Sequence, residues 1–263
     1  MGEMPLSRDK KNDVALVNMG YWKGLSPFYN KNFALANYAL FHLVCKNAGL
    51  SEKDELVVDA GCGFGIVAIL CATEYNCPKT IGINISDYQI TQARERVSKY
   101  NASDKVEIQN MSATDLKFKE NSVDKIVSTE AAFHFDSRDD FFREAYRVLK
   151  PGGILSLADM IYDKPKNGFQ KRTLKQLQHS LFIPSSNIYS YEEYISKIKS
   201  AGFEIIEGKN IMKEVRPNFR KWIYSHFMSL LIHHKISWII STLGFNFYPW
   251  EYLYVIARKP GNK

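Results

Sequence analysis

The chain has 263 residues, of which 45% are hydrophobic and 24% are charged, and these proportions argue against a disordered protein. Its net charge of +7 would suit an anionic cofactor, a membrane surface or a nucleic acid, but the basic residues are spread along the chain without a tight basic tract. The length predicts one domain with insertions.

Neither the start of the chain nor its longest apolar region predicts export or a membrane span. The first 13 residues carry charges and a proline but no apolar run, so they lack the core of a secretory signal. The region 236–257 is interrupted by Asn246, Pro249 and Glu251. Four cysteines show neither a C-x-x-C pair nor a histidine at metal-ligand spacing: Cys45, Cys62, Cys71 and Cys77. We expect a cytoplasmic protein with free thiols, no transmembrane segment and no metal site.

From residue 56 onward, short apolar strands alternate with amphipathic helical stretches, the pattern of a largely parallel sheet with helices on both faces. The predicted strands span residues 56–60, 80–84, 106–110, 125–128, 154–159, 203–207 and 250–258. The predicted helices span residues 66–75, 87–100, 139–149 and 191–201. Between the third helix and the fifth strand, Pro151, Gly152 and Gly153 predict a helix stop and a tight turn. The predicted fold class is α/β, a Rossmann-like doubly wound sheet of seven mostly parallel strands.

The regular alternation stops after Asp159, where two insertions interrupt the sheet. A polar stretch and an aromatic-rich stretch form predicted cap or lid insertions after the fifth and sixth strands, at 162–190 and 216–247. The single domain then divides into an N-terminal helical lid segment, a ligand-binding core and a remainder that carries the caps: 1–50, 51–161 and 162–263. Ligands of open parallel sheets bind at the carboxyl ends of the strands, so these segments are predicted to cover that edge. The alternative is that the insertions are packing helices without ligand contact.

The stretch VVDAGCGFG places three glycines after the first strand: Gly61, Gly63 and Gly65. Glycine lets the backbone approach a ligand closely and aim amide N–H groups at it. Asp59 lies at the strand end, where a carboxylate can orient the loop. The dinucleotide fingerprint G-x-G-x-x-G requires a glycine where Ile66 stands, which disfavours a nicotinamide-dependent oxidoreductase. D-x-G-x-G-x-G instead resembles the first motif of class I S-adenosylmethionine-dependent methyltransferases, and this resemblance implies that the loop holds the amino-acid end of that cofactor.

Two further segments extend the resemblance along the cofactor site. GINISDYQITQA at 82–93 is similar to the second-strand segment of a branch that includes cyclopropane fatty-acid synthases and many small-molecule methyltransferases. The similarity implies that Asn84, Ile85 and Gln89 line the cofactor, with Asn84 where many class I enzymes place an acid on the ribose hydroxyls. NMSATDLKF at 110–118 resembles the third-strand segment and implies that Ser112 and Ala113 recognise adenine.

The segment 123–159 completes the resemblance, which covers residues 54–159 and has RVLKPGG as its most specific part. In sugar O-methyltransferases that share this segment, a histidine after the fourth strand and an aspartate at the end of the fifth assist deprotonation. The resemblance therefore implies catalytic roles for His134 and Asp159. Histidine suits a base because its ordinary pKa of about 6.5 leaves the ring neutral near neutral pH.

Four more residues are predicted around the acceptor. Glu130, just beyond the fourth strand, is assigned to the cofactor site and to the adjoining wall of the acceptor pocket. Phe133 in the same segment, and Tyr21 and Trp22 in the N-terminal NMGYW, are predicted to contact the acceptor. The composition of the second insertion fits a lid over a hydrophobic acceptor or ordinary core packing.

The leading hypothesis is an S-adenosylmethionine-dependent methyltransferase that acts on a small or lipid-like acceptor, with O-methylation assisted by His134. The alternatives within the family are N-methylation, C-methylation of an isoprenoid and cyclopropanation of a lipid. A nucleic-acid methyltransferase is disfavoured because residues 129–132 read TEAA where base methyltransferases often carry N/D-P-P-Y/F. A non-catalytic cofactor-binding module also stays open. The predicted partner is the small-molecule acceptor, with no nucleic acid, and a homodimer is allowed.

Overall fold

The computed structural model describes residues 18–225 and 248–261. In chain order its elements are α1 (Asn30–Asn47), β1 (Val57–Ala60), α2 (Ile66–Thr73), β2 (Thr80–Asn84), α3 (Asp87–Lys99), β3 (Val106–Asn110), β4 (Val123–Thr129), α4 (Arg138–Val148), β5 (Leu149–Tyr162), α5 (Gly168–Leu181), α6 (Tyr191–Ser200), β6 (Glu204–Asn210), α7 (Met212–Ser225) and β7 (Trp250–Arg258). Two short 3-10 turns lie at Ala132–His134 and Ser185–Asn187.

The seven strands of the described residues form one sheet in the order β3-β2-β1-β4-β5-β7-β6. Strand β7 runs antiparallel to its neighbours β5 and β6, while the pairs among β1 to β5 are parallel. Val57 and Val58, adjacent in β1, pack into hydrophobic clusters on opposite faces of the sheet. Helices therefore cover both faces, and the predicted doubly wound, mostly parallel α/β fold is confirmed.

Several helices begin where a serine side chain satisfies a free backbone N–H group. The Ser86 hydroxyl accepts from the backbone of Gln89 at the start of α3, and Ser137 does the same at the start of α4. At α6, Ser190 and Glu193 form a reciprocal capping box. These local signals explain why the predicted starts of the three helices lie within one residue of the observed ones.

Larger differences from the prediction lie where the chain leaves the regular alternation. Strand β5 begins at Leu149 and not at residue 154, because Leu149 pairs with Val123 before a register shift carries the pairing on to Ile154. The polar stretch at 162–190 contains α5, which buries only Leu174 and Leu177 and therefore shows a weak apolar pattern. Helix α7 occupies the described part of the second insertion, and the rest of that insertion, including His233 and His234, lies outside the described residues.

The N-terminal segment and α7 pack together through an aromatic cluster. Trp22 is 1% exposed and contacts Phe33, whose ring stacks on Trp222 with centroids 4.1 Å apart. The Trp22 backbone N–H also donates to the Glu214 carbonyl at 2.9 Å. Residues far apart in sequence thus fix the N-terminal segment beside the carboxyl ends of the strands. In the part of the chain that the structure describes, no helix has the length and apolar character needed to cross a membrane.

Candidate active site

A cavity of about 660 Å³ opens at the carboxyl ends of β1, β2, β3 and β4. Its wall includes nine of the residues predicted from the sequence: Asp59, Gly61, Gly63, Asn84, Ile85, Gln89, Ser112, Ala113 and Glu130. His134 lines the same cavity. The structure therefore brings the predicted cofactor residues and the predicted base to one site.

The glycine loop packs directly against the turn that carries His134. Gly61 has a φ of 75°, and a Cβ built there would clash with Ala131 Cβ and lie 3.2 Å from the Phe135 ring. Only glycine allows both this left-handed backbone and this close approach. Gly65 is the N-cap of α2 and packs against Ala93, and it is not among the residues that line the cavity.

Asp59 presents a buried carboxylate to the cavity. It is 1% exposed, and its Oδ2 atom has no hydrogen-bond partner among the described residues. Burial raises the pKa of Asp59 to about 7, although a hydrogen bond from the Ala68 backbone partly offsets this. A nearby cation would favour the charged carboxylate and lower that pKa, so a cationic ligand fits this position.

Thr129, at the end of β4, adds a second buried polar atom to the cavity wall. Its hydroxyl also has no hydrogen-bond partner among the described residues. Buried polar atoms are nearly always hydrogen-bonded, so two such atoms at one cavity are typical of a ligand site. Thr129 was not predicted from the sequence, because a threonine at a strand end is usually structural.

The end of β2 carries a small hydrogen-bonded unit. Asn84 Oδ1 accepts from the Ile85 backbone at 2.8 Å, which fixes the orientation of its amide group. Asn84 Nδ2 then donates to Gln89 Oε1 at 2.8 Å and to the Gly63 carbonyl at 3.4 Å. Asn84 therefore ties the glycine loop to the start of α3, and it leaves the Gln89 amide nitrogen as a donor for a ligand.

Ser112 and Ala113 form the cavity wall after β3, where the Ser112 hydroxyl hydrogen-bonds with Thr114. Sequence reasoning missed several apolar residues of the same cavity: Phe41, Phe64, Val67, Met111, Phe135, Phe182 and Pro184. Their side chains resemble ordinary core residues in the sequence, and only the fold brings them to the cavity. Phe182 and Pro184 show that the first insertion contributes to the wall.

His134 ends a 3-10 turn that buried side chains hold on both sides. Asp159 Oδ1 accepts from the Phe133 N–H group at 3.2 Å. Asn187 Nδ2 donates to the Phe133 carbonyl at 3.3 Å and to the Phe135 carbonyl at 2.7 Å. The peptide groups that flank His134 are thus fixed by a residue of β5 and a residue of the first insertion.

The His134 ring is solvent-exposed at the cavity surface but has protein atoms on its other sides. Desolvation lowers the pKa of His134 below its ordinary value, while hydrogen bonding to the Phe182 backbone and the charge of Asp159 partly oppose this. The ring is therefore neutral at pH 7, the form in which it can accept a proton.

Glu130 connects the cavity to the N-terminal segment. Its Oε1 atom accepts from the Met19 N–H group at 2.7 Å and from the Tyr252 hydroxyl at 2.5 Å. Burial raises the pKa of Glu130 to about 7. Its φ of 49° is rare for a side chain of this size, a backbone strain often found at functional sites.

Asp159 lies in a buried ionic cluster behind the cavity wall and not on it. Arg138 and Asp159 are 0% and 1% exposed, and Arg138 Nε lies 2.9 Å from Asp159 Oδ2. The Tyr194 hydroxyl donates to the same oxygen at 3.1 Å. Both oxygens are engaged, and Asp159 contacts the His134 turn through the Phe133 N–H group, so its assistance in deprotonation stays a prediction.

Asp159→Asn is expected to lower the free energy of unfolding by about 3–5 kcal/mol, because it leaves the buried Arg138 cation without its counter-charge. Urea unfolding measures the loss. Asp140→Asn is the matched control, since Asp140 pairs with Arg143 at the surface and such pairs contribute about 1 kcal/mol or less. Equal losses in both variants would contradict the structural role of the cluster.

The three predicted acceptor contacts do not reach the cavity wall. Trp22 belongs to the aromatic cluster under α7, and its indole N–H donates to the Met19 carbonyl at 2.7 Å. Phe133 is 3% exposed and Tyr21 packs against the large hydrophobic cluster. Their contacts in the structure are packing contacts, and their contact with the acceptor stays a prediction.

The cavity fits S-adenosylmethionine, the cofactor that the sequence resemblance implies. The first turn of α2 borders the cavity at Ile66 and Val67, and its free N–H groups favour a carboxylate. The Asp59 Oδ2 atom, which has no hydrogen-bond partner among the described residues, complements a cation beside it. In the described part of the chain, no group of three metal-ligating side chains could hold an ion, and all four cysteines are buried free thiols.

Comparisons with known proteins show the family of the chain. Residues 58–157 match a family described as a methyltransferase domain. The chain is 33% identical to erythromycin 3''-O-methyltransferase of Saccharopolyspora erythraea over 76% of this chain and 66% of that protein. It is 30% identical to methyltransferase GfsG of Streptomyces halstedii over 76% of this chain and 70% of that protein.

Two further similarities involve different reactions. The sterol 24-C-methyltransferase ERG6 of Saccharomyces cerevisiae is 29% identical over 71% of this chain, and the match spans only 49% of that protein. The crystal structure of the cyclase SpnF superposes with a TM-score of 0.75 at 23% identity, covering 94% of this chain and 88% of SpnF. The chain thus spans 49% to 70% of these three curated relatives, and a shared fold does not fix the reaction.

Proposed function

The chain belongs to the S-adenosylmethionine-dependent methyltransferase family, and from this premise we propose that it methylates a hydroxyl group of a small, natural-product or lipid-like acceptor. One observation carries the proposal: His134 shares a cavity with the glycine loop and lies on the turn packed against it, where desolvation lowers its pKa and favours the neutral ring. A cytoplasmic location and a homodimer stay predictions.

The bound cofactor supplies a methyl group on a positively charged sulfur. The protein's part is to hold the acceptor oxygen in line and to remove its proton, and positioning alone can contribute about 7–11 kcal/mol to the rate. His134 takes the proton on the free nitrogen of its neutral ring. Its turn is fixed through Asp159 and Asn187, so the base needs little reorganisation during the reaction.

The apolar wall supports an acceptor of low polarity. Phe41, Phe135, Phe182 and Pro184 line the cavity beside its polar residues and give it an apolar part of the wall. Among the relatives, the erythromycin enzyme is named for O-methylation of a natural product and ERG6 for C-methylation of a sterol. Both names agree with a bulky, largely apolar acceptor, and neither identifies it.

C-methylation is the second candidate, because Glu130 also lines the cavity. Its carboxylate has a pKa of about 7, so at neutral pH a substantial fraction is charged and can take a proton from carbon after methyl addition. Its Oε1 atom already accepts from Met19 and Tyr252, which leaves Oε2 for this role. The two candidates assign the proton to different residues and can be separated by mutation.

The proposal is tested by incubating the protein with S-adenosylmethionine and a panel of macrolide, sugar-bearing, sterol and prenyl alcohols. Mass spectrometry should find a product heavier by one methylene unit and an equal amount of S-adenosylhomocysteine. NMR of the product should place the new methyl on oxygen, and Glu130→Gln should retain activity. A new carbon–carbon bond and loss of activity in Glu130→Gln would establish the second candidate instead.

A further inference from the structure

The positive charge of the protein is concentrated in the two insertions. Residues 164–191 contain five basic residues and no acidic one, and residues 215–250 contain four basic residues and no acidic one. The positive charges of these two ranges together exceed the net charge of +7 for the whole chain, so the rest of the chain has a slightly negative net charge. The sequence shows no tight basic tract because the basic residues are interspersed with neutral ones, and the fold is needed to see how they are arranged.

Helix α5 gathers three of these residues on its outer side. Arg172 directly follows Lys171, and Lys175 comes three and four positions after them, so the three side chains share one face of the helix. Leu174 and Leu177 point to the opposite, buried side. All three cations are exposed, and no residue in the described ranges forms an ion pair with them, whereas the neighbouring Lys164 pairs with Glu193.

The same helix leads to the mouth of the cavity. It ends at Leu181, and the following C-cap residue, Phe182, is 81% exposed and lines the cavity together with Pro184. Phe182 also has a left-handed backbone with a φ of 51°, which turns the chain sharply at the helix end. A basic helical face and an exposed aromatic side chain at the opening of an apolar cavity are thus parts of one continuous segment.

We propose that the basic face of α5 docks the protein on an anionic lipid bilayer, with the cavity mouth at the bilayer surface. Cations spaced along a helix complement anionic headgroups, and a neighbouring exposed phenylalanine inserts at the boundary of headgroups and acyl chains. A lipid-like acceptor then reaches the cavity without crossing bulk water. The choice of acceptor rests on the proposed function, whereas the docking itself does not.

A bilayer explains these residues better than a nucleic acid does. Phosphates of RNA would use the same cations, but the exposed apolar ring of Phe182 gains nothing from a phosphate backbone. An interfacial helix uses both features, because the cations bind headgroups and the apolar side chain leaves water. RNA binding is therefore treated as a competing outcome of the experiment.

The experiment is co-sedimentation of the full chain with phosphatidylcholine vesicles that contain or lack phosphatidylserine, without cofactor or acceptor. The wild type should bind the anionic vesicles and release them as salt is raised. The triple variant Lys171→Gln, Arg172→Gln, Lys175→Gln should bind about a hundredfold more weakly, from the contribution of each basic residue near a charged membrane. Circular dichroism and thermal unfolding should be unchanged, since all three side chains are exposed.

The matched control is Lys79→Gln, Lys105→Gln, Lys119→Gln, which removes the same charge from exposed positions preceding β2, β3 and β4. These positions lie at the amino ends of the strands, whereas the cavity lies at their carboxyl ends, so this variant should bind vesicles like the wild type. Equal weakening in both triple variants would overturn the proposal, because net charge alone would then explain binding. Equal binding to neutral vesicles, or tighter binding to an RNA oligonucleotide than to anionic vesicles, would also overturn it.

The outcome is independent of the methyl-transfer chemistry. Vesicle binding is measured without turnover, so failure of the proposed O-methylation leaves the docking result unaffected. Conversely, activity on a water-soluble acceptor should be the same in wild type and in the α5 variant, because none of the three residues lines the cavity. Loss of that soluble activity would assign the residues to the active site and contradict a docking role.

Discussion

His134→Ala is expected to lower kcat by about 10²–10⁴ while the dissociation constant of S-adenosylmethionine stays within a factor of a few. The loss belongs to the transition state, because the proton of the acceptor hydroxyl must leave as the bond to the methyl group forms. Steady-state kinetics and calorimetry measure the two quantities. His179→Ala, on the exposed face of α5, is the matched histidine control and should behave like the wild type.

The dependence of rate on pH gives a second signature of the base. Only the neutral imidazole accepts a proton, so kcat should rise as pH increases through the pKa of His134. Desolvation lowers that pKa, so the rise should lie below the ordinary histidine value of about 6.5. His134→Ala should abolish the rise. If kcat of His134→Ala equalled that of the wild type at every pH, His134 would not be the base. N-methylation would then be favoured, since an amine can lose its proton to water before attack.

A variant of Asn187 tests whether catalysis depends on the position in which the His134 turn is held. Asn187→Ala removes the hydrogen bonds to the Phe133 and Phe135 carbonyls and should reduce kcat by roughly tenfold without changing cofactor affinity. If the residue acts through His134, the double variant His134→Ala, Asn187→Ala should lose no more kcat than His134→Ala alone. Additive losses would show that Asn187 acts independently.

The cofactor half of the site was predictable from the sequence because its signals are local. Three glycines within five positions after a buried strand specify a loop that approaches a ligand, and the structure places Gly61 and Gly63 at the cavity. Strands β2, β3 and β7 match their predicted bounds, since β-branched and apolar runs between turns are short-range features. Asn84 and Gln89, which also line the cavity, were predicted from the single segment at 82–93.

The acceptor half depends on contacts between distant segments, which a single sequence does not display. Asn187 reaches Phe135 across 52 positions and Glu130 accepts from Met19 across 111 positions. Tryptophan is a residue type that often contacts ligands, but Trp22 is buried in a cluster with Phe33 and Trp222. This burial becomes visible only when α7 is packed in the fold. Asp159 lies near the end of the predicted strand, but its ion pair with Arg138, 21 positions away in sequence, appears only in the fold.

Gly63→Val should abolish measurable binding of both S-adenosylmethionine and S-adenosylhomocysteine in calorimetry. Gly63 lines the cavity with a φ of 52°, and a Cβ built there meets no protein atom within 4 Å. The valine side chain would therefore fill space beside the loop that the amino-acid end of the cofactor must occupy. Strain is a separate cost, because a branched residue is unfavourable at positive φ by about 1–3 kcal/mol.

Gly49→Val separates these two effects. Gly49 has a φ of 68° and open space around its Cβ position, but it follows α1 and does not line the cavity. Both variants should lose similar stability in thermal unfolding, and only Gly63→Val should lose the cofactor. If Gly49→Val lost binding equally, strain and not occupancy would explain the effect. If Gly63→Val bound the cofactor normally, the glycine loop would not be the cofactor site, because no bound ligand could share that space with a branched side chain. Tight binding of NAD by the wild type would instead contradict the choice of S-adenosylmethionine as the cofactor.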